Sequence, residues 1–362
     1  MSGGKLEQLV AGGRKPVDVR SIESELAAIW RSASHSGMGQ DAEAVVRACL
    51  WNVVVHTVDG TAADEAQEDL AQLSLTLPSR AILIRTDTAA AEDGIDAWIA
   101  ANCRLTEDGR RHVCCEEIIV TARGRTMSDL PALVRALLAP DVPSALVWME
   151  DPSLAGRHLP DWCESVDRFV FDSARFDDLS EFAYLLRSLE GMPRRPQLGD
   201  LNWRRIRPWR ALMARLYDQP ELREAFASAE RIVAAGDAAT MPYAAALLLG
   251  WLASRTGGSA GPRALIGADG REARVEFEEA RGEPHLGGLD RVRFESPGRS
   301  MELFRSGGHL DMRDHNVESL PEALRCAAPV RTRISLLAEE LEDYGGDPLL
   351  PAAMPHAAAL LE

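Results

Sequence analysis

The chain has 362 residues, of which 46% are hydrophobic and 27% charged, and these proportions exclude a disordered or collagen-like protein. Its formal net charge of −16 argues against nucleic acid or an anionic membrane as the main binding partner. Lysine occurs only as Lys5 and Lys15, so arginine supplies almost all of the 40 positive charges. A coding bias explains most of this excess, whereas a cluster of arginines would point to planar, forked anion binding.

The apolar runs are too short for a membrane span. The longest of them, 244–253, has about half the length that a membrane helix needs. The first twenty residues lack the apolar core of a signal peptide, so we expect a cytoplasmic protein. Its six cysteines show neither a C-x-x-C motif nor zinc-ligand spacing, and reduced thiols are expected in that compartment.

The first part of the chain has the pattern of an α/β domain. The predicted elements are helices over 22–30 and 42–50, the first of them ending at Gly37, then a strand over 53–57, a helix over 64–73 and a strand over 81–84. The last three form a βαβ unit, whose crossover implies parallel strands.

Two longer runs of alternating apolar residues predict a hairpin. They cover 95–103 and 112–121 and turn at Asp108-Gly109, which sets Cys103 opposite Cys114. Counting from that turn places the two cysteines in a hydrogen-bonded pair, whose Cα atoms are about 5.5 Å apart, so that a bridge would be strained. We therefore expect two buried free thiols rather than a redox switch.

The rest of the chain alternates between predicted helices and strands at first and then becomes rich in strands. The predicted elements are helices over 129–138, 160–165, 179–189, 203–217, 242–255 and 330–341, and strands over 145–149, 169–171, 231–234, 264–266, 273–279, 291–295, 301–304 and 310–313, with a linker at 191–199. A Gly307-Gly308 turn would set Leu303 opposite Met312 and Glu302 opposite Arg313.

These elements predict an α/β fold in two domains. The N-terminal domain, 1–163, is a mixed sheet with flanking helices. The C-terminal domain, 164–362, is α+β with antiparallel strands, and a proline-containing tail from about residue 345 is expected to be mobile.

No standard catalytic or nucleotide-binding motif occurs in the sequence, so we expect neither a catalytic residue nor a cofactor. Polar residues at strand ends could line a crevice, although loops after strands are commonly polar. They are Thr57, Asp59, Arg85, Glu150, Asp151, Asp172 and Ser173. His309 and His315 share a face with Asp311 and Arg313, for which a solvated sheet face is favoured over a metal site.

One segment stands out because it concentrates arginine and tryptophan in an acidic chain. The candidate partner-binding or anion-binding residues are Asn202, Trp203, Arg204, Arg205, Arg207, Trp209 and Arg210. In one interpretation several arginines are free to meet an anion or an acidic partner. In the other, the tryptophans anchor the core, and the arginines stack on them or pair with acids. Spacing alone does not decide between these interpretations.

The stretch GDLNWRRIRPWRALMARLYDQPE, residues 199–221, resembles the most specific segment of the OpcA family, the glucose-6-phosphate dehydrogenase assembly proteins of actinobacteria and cyanobacteria. Further stretches agree in order, namely 50–55, 77–82, 113–118, 141–148, 168–173 and 248–255. The resemblance covers roughly residues 25–340, and it adds Arg80 to the candidate site residues.

The resemblance implies a non-catalytic activator and assembly factor. Such a protein would bind glucose-6-phosphate dehydrogenase of the oxidative pentose phosphate pathway and favour its active oligomer or its substrate-binding state. The implied partner is that enzyme, and neither a nucleic acid nor a membrane is expected to bind. Whether a sugar phosphate also binds at the interface is left as an open alternative. The alternative is a phosphosugar-binding enzyme or sensor that uses Arg80, Arg205 or Arg210 as a phosphate fork.

Overall fold

The computed structural model describes residues 7–8, 14–36, 44–58, 60–87, 89–105, 111–280, 288–316 and 325–362. Contacts divide the chain into two units. The first unit comprises Met1–Glu150, Gly156–Val170 and Met192–Gln197, and the second comprises Asp151–Ala155, Phe171–Gly191 and Leu198–Glu362. The chain passes between these units several times. The division into domains 1–163 and 164–362 stays a prediction.

The first sheet is mixed, as predicted for the N-terminal half. Its strands in the described part of the chain are β1 (Glu7–Gln8), β2 (Lys15–Val17), β3 (Ala44–Arg47), β4 (Trp51–Val58), β5 (Ser79–Asp87), β6 (Gly94–Leu105), β7 (Arg111–Arg123), β8 (Ser144–Trp148), β9 (Arg168–Phe171) and β10 (Gln197–Asp200). They lie in the order β1-β6-β7-β5-β4-β8-β9-β10, with β2 paired to β6 and β3 to β7. The helices of the first unit are α1 (Ile22–Ser36), α2 (Thr61–Thr76), α3 (Leu130–Leu137) and α4 (Leu159–Glu164).

The βαβ unit at the centre of this sheet confirms the sequence prediction. Strand β4 runs parallel to β5 and to β8, and the helix between the first two strands is α2. Almost every residue of β4 is buried, which is why the sequence shows a continuous apolar run over Val53–Val55 rather than an alternating one.

The helix predicted over 42–50 is wrong, because residues 44–47 form strand β3. Val45 and Val46 pair with His112 and Val113 of β7 in parallel register. Valine is β-branched and fits an extended backbone, and pairing with β7 adds hydrogen bonds across the sheet, whereas a helix this short is only marginally stable by itself. Residues 37–43, where the predicted break at Gly37 falls, lie outside the described residues.

The predicted hairpin register is confirmed, but the prediction of free thiols is wrong. Cys103 pairs with Cys114, and the two residues form a disulfide. Their Cα atoms lie 4.0 Å apart, which is the short spacing of a non-hydrogen-bonded pair rather than the expected longer one. The turn at Asp108-Gly109, from which that parity was counted, lies outside the described residues.

The second unit contains a second sheet and seven α-helices within the described residues. The strands are β11 (Arg231–Gly236), β12 (Ser259–Gly261), β13 (Ala264–Ile266), β14 (Glu272–Glu279), β15 (Leu289–Ser296), β16 (Arg299–Ser306), β17 (His309–Asp314) and β18 (Cys326–Ala327), in the order β12-β13-β14-β11-β15-β16-β17-β18. The helices are α5 (Glu181–Leu189), α6 (Leu201–Arg205), α7 (Arg207–Tyr217), α8 (Pro220–Ala227), α9 (Met241–Thr256), α10 (Arg333–Glu342) and α11 (Leu349–Leu361).

The second sheet agrees with the predicted α+β character of the C-terminal half. Strand β11 pairs in parallel with β14 and antiparallel with β15. Leu303 of β16 lies opposite Met312 of β17, and Glu302 lies opposite Arg313, so the predicted register is confirmed. No helix in the described part of the chain is long and apolar enough to cross a bilayer.

The tail expected to be mobile is instead a buried helix. Helix α11 packs against α9, and its residues Leu350, Met354 and Leu361 are buried. The prolines suggested a mobile tail, yet apolar side chains predominate in this segment, and their burial outweighs the interruption at Pro355.

Glycine at position 250 permits this helix packing. A Cβ atom on Gly250 of α9 would lie 2.7 Å from the carbonyl oxygen of Ala353 and 2.8 Å from the backbone nitrogen of Ala357, both in α11. Because backbone atoms cannot swing away as a flexible side chain can, the two helices approach this closely only with glycine at the contact.

We expect Gly250→Ala to lower the free energy of unfolding by about 1–3 kcal/mol, because overpacking outweighs the gain of about 1 kcal/mol in helix propensity. Urea denaturation measures this difference. Gly261→Ala is the matched control, since a Cβ atom there meets nothing within 4 Å. Equal stability of the two variants would contradict the close approach.

Candidate functional site

The segment Asp200–Arg210, here called the Trp–Arg segment, begins at a buried carboxylate. The side chain of Asp200 caps α6 by accepting from the backbone nitrogen of Asn202 at 2.8 Å. It also accepts from the backbone nitrogen of Ser173 at 3.1 Å and from its hydroxyl at 2.7 Å, and Asn202 Nδ2 donates to that hydroxyl at 3.1 Å. Burial, together with the negative charge of Asp172, raises the pKa of Asp200 to about 7.

Arg205 is held by a forked ion pair. Its Nη1 and Nη2 atoms donate to the two carboxylate oxygens of Asp172 at 2.5 and 2.7 Å. Both side chains are more than nine-tenths buried, with 8% and 7% of their surface exposed. This arginine therefore serves the interior of the second unit and is not free to bind another anion.

Arg204 is held in the same way by helix α10, which packs on α6. Its Nε atom donates to Glu340 at 2.5 Å, and its Nη2 atom donates to Asp343 at 3.0 Å. Burial opposes the charge of Arg204, but the hydrogen bonds and negative charges of Glu340 and Asp343 outweigh it and raise its pKa.

Arg210 stacks on Trp203 and shares a carboxylate with it. The guanidinium carbon lies 3.5 Å from the centre of the indole ring. Trp203 Nε1 donates to Asp347 at 2.7 Å, and Arg210 Nη1 reaches the same oxygen at 3.3 Å. Burial lowers the pKa of Arg210 to about 10, because this long contact only partly offsets desolvation.

Asp347 is correspondingly held in its charged form. Burial alone would raise the pKa of this carboxyl, but hydrogen bonds from Trp203 and from the backbone nitrogen of Leu349, with the charge of Arg210, keep it below its ordinary value. Trp209, the second tryptophan of the segment, is 1% exposed and belongs to the core.

Arg207 is the exposed arginine of the segment. It begins α7 one residue before Pro208, which occupies the first helical turn as expected. In the part of the chain that the structure describes, no carboxylate forms an ion pair with Arg207. Its guanidinium is therefore available to a partner, unlike those of its three neighbours.

A groove of about 700 Å³ opens beside Arg207, and we call it the Arg–acid groove. Its basic lining residues are Arg204, Arg207, Arg210 and Arg331. Its acidic lining residues are Glu339, Glu342, Asp343 and Asp347. Trp251 of α9 adds an apolar wall. Because the charges balance and Arg331 is bound to Glu339, the groove is not a simple anion pocket.

Arg80 has a structural role in the first unit. Its Nε atom donates to Glu116 at 2.7 Å, and its Nη1 atom donates to Glu23 and to the carbonyl oxygen of Leu137, both at 2.7 Å. Burial works against its charge, but the two carboxylates raise its pKa. The structure therefore gives no support for a phosphate fork at Arg80.

Other polar residues singled out in the sequence also contact side chains or backbone atoms of this chain. Glu150 accepts from the backbone nitrogen of Val58 at 2.6 Å and lies 3.3 Å from His56 Nδ1, which ties it to β4. Asp59 lies outside the described residues. Asp311 binds Arg325, and Arg313 lies 3.9 Å from Glu302. Within the described ranges, no three His, Cys, Asp or Glu residues are grouped so that they could hold a metal ion. His309 of β17 and His315, directly after that strand, therefore belong to no such group.

Sequence reasoning identified the arginines and tryptophans but missed their acidic partners. Asp347 is 144 positions from Trp203, and Glu340 is 136 positions from Arg204. Helical periodicity relates residues three or four positions apart, so it carries no information about such pairs. Helical periodicity likewise does not relate Arg331 to the Trp–Arg segment, although Arg331 reaches the groove from the segment before α10.

Two family models match the chain. The model described as the N-terminal domain of a glucose-6-phosphate dehydrogenase subunit matches residues 70–188, and the model described as the C-terminal domain of that subunit matches residues 196–354. The second match alone includes every residue of the Trp–Arg segment and of the Arg–acid groove.

Curated proteins named OpcA are similar over part of their length. That of Nostoc punctiforme is 30% identical over 190 residues, which is 51% of this chain and 39% of that protein. That of Synechococcus elongatus is 28% identical over 171 residues, 47% of this chain and 38% of that protein. The matched region thus spans less than two fifths of each relative's length.

Solved structures resemble the chain only remotely. Biliverdin reductase from Synechocystis has a TM-score of 0.44 at 11% identity, covering 86% of this chain and 96% of that one. A mutant of Gal80p from Saccharomyces cerevisiae has a TM-score of 0.45 at 10% identity, covering 86% and 94%. At this level the likeness carries no functional argument.

We expect Arg205→Ala to cost about 3–5 kcal/mol of unfolding free energy, because it leaves Asp172 as a buried charge without its partner. Arg207→Ala, at an exposed position of the same segment, should change it by less than about 0.5 kcal/mol. Urea denaturation measures both. The double variant Arg205→Ala/Asp172→Ala should recover part of the loss, and equal stability of the single variants would refute the structural role of Arg205.

Proposed function

This chain belongs to the OpcA family, whose models are described as domains of a glucose-6-phosphate dehydrogenase subunit, and we propose that it is a non-catalytic accessory protein of that dehydrogenase. In this proposal it binds the enzyme and favours its active oligomer or its substrate-binding state. The observation that carries the proposal is the pair of family matches, which covers residues 70–188 and 196–354.

Binding alone does not activate an enzyme. An accessory protein shifts the dehydrogenase only if it binds the active state more tightly than the inactive one. A twentyfold change in substrate affinity requires about 1.8 kcal/mol of differential binding. A few well-placed contacts at an interface are sufficient to supply this amount.

We place the docking contact at the Arg–acid groove. Arg207 is exposed there without a carboxylate partner among the described residues, and Trp251 forms a neighbouring wall. Val330 and Tyr344, each adjacent in sequence to a groove residue, expose 77% and 56% of their surface. Arginine, tryptophan and tyrosine are the residue types that dominate interface energetics, so a segment of the dehydrogenase with an acidic side chain for Arg207 and a neighbouring apolar side chain would fit this surface.

The alternative of a sugar-phosphate sensor has less support. It assigned phosphate binding to Arg80, Arg205 or Arg210, and each of these guanidinium groups already contacts a carboxylate. A phosphate would have to displace those carboxylates from buried positions, which would leave them unpaired. A sugar phosphate at the protein–enzyme interface stays a prediction.

Activity assays test the accessory role. Adding the chain to the glucose-6-phosphate dehydrogenase of the same organism should lower the apparent KM for glucose 6-phosphate, by up to about twentyfold, or raise the oligomer mass. Steady-state kinetics and light scattering after size exclusion measure these changes, and the chain alone should show no dehydrogenase activity. If kinetics and mass both stay unchanged, the proposal fails for this pair.

A charge reversal tests the docking surface separately. Arg207→Glu should weaken binding of the dehydrogenase by about tenfold or more, because it places a negative charge where an acidic partner would lie. Arg215→Glu is the matched control, since Arg215 is exposed on the same helix and does not line the groove. Biolayer interferometry gives both affinities. Equal binding by the two variants would contradict docking at the Arg–acid groove.

A further inference from the structure

The second unit contains a separate cavity that none of the above contacts uses. It has a volume of about 240 Å³ and lies between α7, α8, β11, the C-terminal part of α9 and the turn that joins β13 to β14. It shares no lining residue with the Arg–acid groove. For comparison, an engineered apolar cavity of about 150 Å³ binds benzene.

The interior of the cavity is apolar and partly aromatic. Ile232 and Leu252, which are 1% and 6% exposed, form its floor. Tyr217 and Phe226 form an aromatic wall, with their ring centres 6.1 Å apart and their planes inclined by 28°. Apolar walls favour burial of a ring, and aromatic side chains add stacked or edge-on contacts to it.

The mouth of the cavity is polar. Asp269 and Arg271 lie in the turn between β13 and β14, where Arg271 Nε is 3.3 Å from an Asp269 carboxylate oxygen. Both side chains are at least half exposed. This arrangement, with an apolar floor and a few polar groups at the entrance, is typical of small-molecule sites.

The turn at the mouth offers little to a peptide. Its backbone is closed on itself, because the nitrogen of Gly267 donates to the carbonyl oxygen of Arg271 at 2.8 Å and the nitrogen of Gly270 donates to that of Gly267 at 2.9 Å. A peptide would need open backbone groups for strand addition. A small molecule needs only the apolar floor and the polar side chains.

We propose that this cavity binds a planar aromatic molecule of one or two fused rings, with the ring against Tyr217 and Phe226 and a polar substituent at Arg271. The site is independent of the dehydrogenase partner, so its test neither supports nor weakens the accessory role.

Ligand-observed saturation-transfer NMR on the full chain tests the site, with indole and indole-3-acetate as probes. Both should receive saturation from the wild-type protein. Ala268→Trp, which places a large side chain on the exposed rim, should abolish the transfer to both probes. Ala89→Trp, an exposed position in the first unit, is the matched control and should bind like wild type.

A second variant tests the polar mouth. Arg271→Ala should weaken indole-3-acetate by about two- to fivefold, the size of one exposed ion pair, and leave indole unchanged. The proposal is overturned if indole receives no saturation from the wild-type protein, or if Ala268→Trp binds it as well as Ala89→Trp does. Equal losses of both probes in Arg271→Ala would overturn the proposed orientation.

Discussion

The second unit depends on the neutralisation of buried arginines by carboxylates that come from distant parts of the chain. Removing a guanidinium from water costs several kcal/mol unless an acid with good geometry meets it. Arg204, Arg205 and Arg210 are all nine-tenths buried at their side chains. Arg204 and Arg205 each meet such an acid, and Arg210 combines a longer contact to Asp347 with stacking on Trp203. The acids come from the segments around Asp172, α10 and the loop before α11, so those segments must all be docked for the core to form.

This pairing also decides which part of the Trp–Arg segment can face a partner. Once three of its arginines and both tryptophans are used internally, Arg207 is left at the surface beside the Arg–acid groove. The core thus determines how the surface residues are oriented. The buried residues of α6 and α7 fix both helices in place, and this fixes Arg207 beside the groove. The two interpretations of the segment therefore apply to different residues within it.

Local patterns predicted what local physics determines. Apolar residues that alternate with polar ones on both sides of a turn were enough to predict the registers of β6 with β7 and of β16 with β17. A one-residue slip in either pair would turn its apolar face outward. The prediction failed where distant partners decide the outcome. Strand β3 exists because β7 offers an edge, α11 is ordered because α9 covers it, and the cysteine bridge depends on which pairs of the β6–β7 ladder are hydrogen-bonded. The partners of the arginines were out of reach for the same reason.

The position of Asp347 has a consequence for how the protein is made. This residue, which meets both Trp203 and Arg210, follows the first by 144 positions and the second by 137. While the chain emerges from the ribosome, Arg210 and the indole of Trp203 are therefore synthesised long before the carboxylate that satisfies them. Until the segment that carries Asp347 has been made, the indole nitrogen of Trp203 and the guanidinium of Arg210 lack the acid that they meet in the folded unit, so this part of the core cannot close.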